Sequence, residues 1–188
     1  MFNDIFKRLA GLILKPAETW NKLSQDEEDK ESFLSRYIYP LIGLIALAAF
    51  VGVLFSRKEF SFEIALKSSI KVLISNMGGY FLAVYMMSEL WQGLFHRQKD
   101  IRLWYYFVGY ASAPMFALNI VLALLSEFFF LRAAVLYTVY TIWEGATAYM
   151  HVREDEQLKF SACASAVIIA TPLAIDYLLF MMMPGLRL

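Results

Sequence analysis

Apolar residues in this chain fall into five long runs, preceded by a start in which apolar and polar positions alternate at helical spacing. In residues 2–14, Phe2, Ile5, Phe6, Leu9, Leu12 and Ile13 share one side of a helix, with Asn3, Asp4, Lys7, Arg8 and Gly11 opposite. Such an amphipathic helix has two resting places: flat on a membrane surface, or packed on the rest of the protein. Lys7 and Arg8 interrupt the apolar core that a secretory signal needs and no small-residue cleavage site follows, so an uncleaved start is expected. Lys15 and Pro16 end this element, and Pro16 is placed to open a second short helix through Trp20 and Leu23. The run Asp26, Glu27, Glu28, Asp29, Lys30, Glu31 reads as a solvated connector.

The five runs cover residues 37–55, 70–91, 103–125, 128–149 and 161–183. Each can cross a hydrocarbon core of roughly 30 Å at 1.5 Å per residue, and each must be helical, because a segment alone in lipid has to satisfy its own backbone. The predicted fold is an all-α polytopic membrane bundle of five transmembrane helices with an N-terminal amphipathic interfacial helix. Residues 1–36 form a cytoplasmic N-terminal segment and 37–188 the transmembrane domain. Only Ser126 and Glu127 separate the third and fourth runs, which predicts a tight hairpin.

Composition agrees: 60% of residues are hydrophobic and 18% charged, against roughly 45–50% and 25% in soluble domains. No soluble catalytic domain fits between the runs. Lys plus Arg equals Asp plus Glu at 17 each, which removes the basic excess that drives nucleic-acid binding. Cys163 is the single cysteine, so neither an intrachain disulfide nor a cysteine-based zinc motif can form. With a cytoplasmic N-terminus, eleven basic residues fall on the inner side and six on the outer, the latter including Arg57, Lys58, Lys67, Lys71, Arg132 and Arg187. That split predicts a multi-pass protein of a cell (inner) membrane with its C-terminus external. Tyr37, Tyr39, Trp91, Trp104, Tyr105, Tyr106 and Tyr149 lie near run ends, where aromatic rings anchor helices at the interface. The expected partners are the lipid bilayer and unidentified membrane or cytoplasmic proteins.

Two constellations could carry chemistry. His96 has Glu89 seven residues before it and Asp100 four after, and His151 has Glu144 and Asp155 at the same offsets, so the pattern repeats after 55 residues. A His-to-Asp spacing of four brings side chains together on a helix, and imidazole with carboxylate suits zinc or another divalent ion. The plainer reading of His96, Asp100, His151 and Asp155 is charge gathered at helix ends, with no cofactor. On this pattern the second and fourth runs meet, with Glu89 near Glu144 and His96 near His151. Glu89 and Glu144 lie about two helical turns inside the cytoplasmic face and Asp176 about as far from the outer one, and a charge costs up to about 2.5–3.5 kcal/mol at mid-membrane. They read either as a proton or cation pathway, with Pro172 breaking the helix beside Asp176, or as hydrogen-bonded packing residues. No Gly-x-Ser-x-Gly, His-Glu-x-x-His or phosphate-cradling glycine loop is present, so an enzyme is not expected.

Lys15-Pro16-Ala17-Glu18-Thr19-Trp20, the five runs, Tyr39-Pro40-Leu41, and Gly109-Tyr110-Ala111-Ser112-Ala113-Pro114 together resemble the bacterial branch of the Yip-type membrane proteins. The most specific part is the Gly-Tyr-x-x-x-Pro pattern of Gly109, Tyr110 and Pro114. The resemblance implies a five-span, non-enzymatic integral membrane protein with a cytoplasmic N-terminus, acting as an interaction or organising protein. Eukaryotic relatives engage Rab GTPases and help vesicle traffic, a role that is not carried over to this chain. The alternative from the residues alone is a small transporter or ion-handling protein built on Glu89, Glu144, Asp176 and the histidines. Physically, Gly109, Ala111, Ser112 and Ala113 offer small surfaces for close helix approach and Pro114 a bend, and Gly78, Gly79 and Gly43 read as packing positions too.

Overall fold

The computed structural model describes residues 2–26, 28–56, 61–98, 100–125 and 128–182. Ser126, Glu127, Arg57, Lys58, Lys99 and Arg187, on which the hairpin and part of the charge count rest, lie outside them. Among the described residues the chain is all-helical: α1 (Phe2–Leu14), α2 (Pro16–Leu23), α3 (Lys30–Phe33), a π-helical turn (Leu34–Ile38), α4 (Tyr39–Ser56), α5 (Phe62–Phe95), α6 (Ile101–Ala111), α7 (Ala113–Leu124), a 3₁₀ stretch (Phe129–Leu136), α8 (Tyr137–Ala148) and α9 (Glu154–Met182). Asp29 caps α3 by accepting from the Glu31 N–H, and Asp100 caps α6 by accepting from the Arg102 N–H.

Three helices are long and apolar enough to cross a membrane: Lys30–Phe55, in which the π turn joins α3 to α4, then α5 and α9. A fourth exists if α6 and α7, bent by 44° at Ser112, count as one span. Pro114, in the first turn of α7, lacks the N–H that an unbroken helix would need there. Five spans are not evident among the described residues, and the difference lies at residues 128–149. They divide into a 3₁₀ stretch and α8, whose 12 residues rise only about 18 Å. The cause is what covers α8. Thr138, Thr141 and Gly145 are buried, and Trp20 of α2 donates from its indole N–H to the Thr141 carbonyl at 2.9 Å. Apolarity alone could not distinguish a face covered by the chain's own N-terminal segment from one covered by lipid.

The widest helix contact joins α5 to α9. Gly79 faces Pro172 so closely that an added Cβ would lie 2.5 Å from the proline Cα, and the Thr171 hydroxyl donates to the Gly79 carbonyl at 3.0 Å. Helix α9 runs unbroken through Pro172, which is buried there, so the break expected beside Asp176 does not occur. Gly52 of α4 meets α7, where an added Cβ would fall 1.7 Å from the Ala123 carbonyl oxygen. Gly78 touches only the tip of Ile175, and Gly43 has open space around it, so the packing role expected of Gly43 is not found. Outward faces of α5 and α9 carry exposed Leu66, Ile70, Leu73, Ile74, Leu173 and Leu178. Such apolar faces suit lipid.

Candidate functional site: the N-terminal segment docked on the Gly-Tyr-x-x-x-Pro helix

The amphipathic N-terminus is a helix whose Ile5, Leu9 and Leu12 are buried against the bundle, in the same core as Trp20, Leu23 and Phe33. Its last turn is tied down by the Tyr137 hydroxyl, which donates to the Ile13 carbonyl at 2.6 Å. Packing on the protein, the second of the two placements open to this helix, accounts for these positions.

The receiving surface is shared by α6, α7 and α8, with the motif on α6 at its centre. Gly109 has no side chain because Phe33 and Ile38 lie where one would be, with ring and methyl carbons 2.7 and 2.8 Å from an added Cβ. Tyr110 stands at the centre of the ring cluster, with Trp20 at 6.0 Å, Phe33 at 5.0 Å and Tyr37 at 5.3 Å between centroids. Its hydroxyl accepts from Arg8 Nη1 at 2.9 Å, and the same guanidinium pairs with Glu28 at 2.6 Å. Burial works against the Arg8 charge, while the hydrogen bond to Glu28 and the charge interaction with Tyr110 hold it; the net effect raises its pKa above the usual guanidinium value. The Tyr106 hydroxyl donates to the Glu28 backbone carbonyl, so the acidic connector is fixed at both ends of this residue.

Aromatic contacts extend the layer. Trp20 stacks on Phe107 at 5.5 Å, Phe107 meets Phe160 at 5.6 Å, and Phe160 meets Trp91 at 5.7 Å. Tyr37, Trp91 and Trp104, expected as interfacial anchors, are buried in this core instead; Tyr39 is exposed. Tyr37 turns inward onto Phe33, and Trp91 and Trp104 onto one another and Phe160. Arg97 completes the layer by pairing with Glu156 at 3.2 Å, which ties the end of α5 to the start of α9.

The 55-residue repeat has a structural source. His96 and His151 are the two non-glycine residues with positive φ among those described, at 52° and 49°. Each follows a helix end: the Arg97 N–H reaches back to the Trp91 carbonyl, and the Val152 N–H to the Ala146 carbonyl, the same six-residue closure. This is the left-handed helix stop in which histidine is tolerated better than most side chains. Asp100 and Asp155 then open the next helix, Asp100 as its cap and Asp155 in the first turn, where it pairs with Arg153. Both histidines are exposed, and no group of three or more His, Cys, Asp or Glu side chains able to hold a metal occurs among the described residues.

The expected meeting of the second and fourth runs is not what the helices do: α9 packs on both α5 and α8, which share at most a marginal contact. Glu89 and Glu144 are both half-buried, on α5 and α8. Asp176 is paired, its Oδ1 lying 3.0 Å from Lys71 Nζ across the α5–α9 contact. Removing one partner strands a charge, whereas removing both strands none. Asp176→Asn is therefore expected to destabilise the protein by about 2 kcal/mol, below the mid-membrane figure because the pair lies toward helix ends. The double change Lys71→Met with Asp176→Leu should recover most of that loss in thermal unfolding in lipid; equal losses in both would show that the pair is not coupled.

Sequence reasoning missed Gly52, Gly145 and Arg8. For Gly145 the available signal was a glycine within an apolar run, and its reason is that an added Cβ would lie 2.6 Å from the Trp20 ring. No curated protein and no solved structure matches the chain significantly. The family model for the Yip1 domain matches residues 10–181, which takes in Trp20, α6 with its Gly-Tyr-x-x-x-Pro motif and nearly all of α9. The chain belongs to the Yip1 domain family.

Proposed function

We propose that this protein is a non-enzymatic, membrane-embedded interaction or organising protein of a bacterial inner membrane, with its N-terminus in the cytoplasm. The observation that carries the reading is the use made of the family motif. Gly109 and Tyr110 hold the N-terminal segment on the bundle and Pro114 opens the helix that follows, which makes a platform at one end rather than a reaction centre. The loops after α5 and α8 belong to the same end, since Phe160, Trp91, Phe107 and Trp20 form one chain of ring contacts. The basic excess of that end supports placing it in the cytoplasm. The pairing of Asp176 with Lys71 speaks against a cation pathway through that carboxylate.

A photo-crosslinking residue at exposed Lys22, on the platform, tests this in native membranes. A discrete adduct with another protein is the expected result, together with no proton or cation flux above empty vesicles when the purified chain is reconstituted. Absence of any adduct overturns the interaction role. Flux that disappears in Glu89→Gln or Glu144→Gln replaces it with transport.

A further inference from the structure

The bundle covers only part of the apolar surface of α1. Ile5, Leu9 and Leu12 enter the core, yet Phe6 is 51% exposed, Leu14 is 77% exposed, and Ala10 lies open between them. At about 100° per residue these three follow one another along a single stripe, and Ile13, half-buried against the core, joins that stripe to the buried side. A helix that met only the bundle would carry polar residues there. Helix α2 is built the other way. Its Pro16, Trp20 and Leu23 are buried, and its outward positions are Glu18, Asn21 and Lys22, all exposed. The two helices lie side by side about the Lys15–Pro16 turn, so close at Gly11 that an added Cβ would fall 2.8 Å from the Thr19 hydroxyl oxygen. This hairpin has one side in the core, an apolar outer side on α1 and a polar outer side on α2.

The first spanning helix, Lys30–Phe55, gives the level of the hairpin. Arg8 of α1 and Arg36 of that helix line one open cleft. Arg36 is the last charged residue there, and none follows through Ser56. Tyr39, one turn further on, is exposed, the disposition of an aromatic ring at a bilayer interface. Helix α1 therefore lies where headgroups give way to acyl chains. Exposed Lys7 borders its apolar stripe, and a lysine so placed lays its stem along apolar surface and lifts its ammonium to the phosphates.

We propose that the α1–α2 hairpin is an interfacial anchor. Helix α1 is set about 5–10 Å into the headgroup and acyl boundary of the leaflet on the N-terminal side, with Phe6, Ala10 and Leu14 among the acyl chains, and α2 is presented to water. Packing on the protein and binding to the membrane are then not alternatives for α1, because different sides of the helix serve them. The partner of this surface is lipid, so the anchor goes beyond the interaction role and does not rest on it.

The full chain reconstituted in phosphatidylcholine vesicles tests the assignment. In a Cys163→Ala background, Phe6→Cys, Leu14→Cys and Asn21→Cys are made one at a time and labelled with the fluorophore NBD. Quenching is then measured with aqueous iodide and with phosphatidylcholine carrying a doxyl spin label on its acyl chain. All three labelled positions are exposed, so the substitutions leave the core intact. The labels of Phe6→Cys and Leu14→Cys are expected to lose most of their iodide quenching and to be quenched by the doxyl lipid, and that of Asn21→Cys to show the reverse. Iodide reaching all three equally overturns the anchor. Shielding of Phe6→Cys and Leu14→Cys from iodide without quenching by the doxyl lipid also overturns it, because protein then covers the stripe. Doxyl quenching of Asn21→Cys as strong as that of Leu14→Cys overturns the division between a lipid side and a water side.

Discussion

Trp20→Ala is expected to free the N-terminal segment from the bundle, with a loss of about 3–5 kcal/mol. The side chain is wholly buried, stacked on Phe107, edge-on to Tyr110 and tilted against Tyr149, and its indole N–H satisfies a carbonyl in the middle of α8. Truncation leaves a cavity beside Gly145, which has no side chain to fill it, and the Thr141 carbonyl loses its indole donor. Beyond the buried Ile5, Leu9, Leu12 and Leu23, the remaining polar ties of α1 and α2 to the helices after α5, Arg8 to Tyr110 and Tyr137 to Ile13, are single hydrogen bonds at partly buried positions. Trypsin should then cut at Lys22 well before the bundle unfolds, since cleavage follows local opening. Trp20→Phe keeps most of the burial and loses only the donor, so it should cost about 1 kcal/mol and leave cleavage near the native rate. Trp20→Ala protein cut no faster than the native chain would show that α2 is held by something other than this residue.

The long helices were legible because apolar runs of spanning length admit little else. Residues 37–55, 70–91 and 161–183 fall almost wholly on α4, α5 and α9. Their charged extensions were not, and α5 begins at Phe62 and α9 at Glu154, since a helix continues past the apolar window whenever its polar turns are capped or paired. Pro114 marked the break between α6 and α7. Nothing in the run 128–149 marked its division, because the deciding contact, Trp20 on Thr141, spans 121 residues of sequence. Long-range burial likewise decided the aromatic residues. Trp91 and Trp104 have the positions of interfacial anchors, yet Phe160, distant in sequence, gives both a protein core to enter. The histidine pattern has two helix stops as its counterpart in the structure. Sequence spacing carries the pattern of two helix stops, but the left-handed φ that explains them belongs to the backbone.

Gly52→Ala should be the most damaging single-methyl change among the helical glycines, with Gly79→Ala next and Gly43→Ala harmless. Between helices in lipid the hydrophobic effect gives no net drive, so close packing and interhelical hydrogen bonds must supply the association. At Gly52 the obstacle is a carbonyl oxygen 1.7 Å from the new Cβ, and at Gly79 it is the Pro172 backbone at 2.5 Å. Neither can rotate away as a side-chain tip could, and relief requires the helices to separate. At Gly79 that separation also stretches the Thr171 hydrogen bond to its carbonyl. Overpacking of this kind costs typically about 1–3 kcal/mol, and more where backbone meets backbone. Gly43 meets nothing within 4 Å, so alanine there adds only its better helix propensity, a gain of up to about 1 kcal/mol. Gly78→Ala is the intermediate case, because its single neighbour, the Ile175 Cδ1 at 3.1 Å, is the mobile end of a side chain. Thermal unfolding of the four variants in one micelle or lipid composition should give the order Gly43, Gly78, Gly79, Gly52 from least to most destabilised. Gly52→Ala melting together with Gly43→Ala would mean that α4 and α7 do not approach as closely as the Ala123 contact requires.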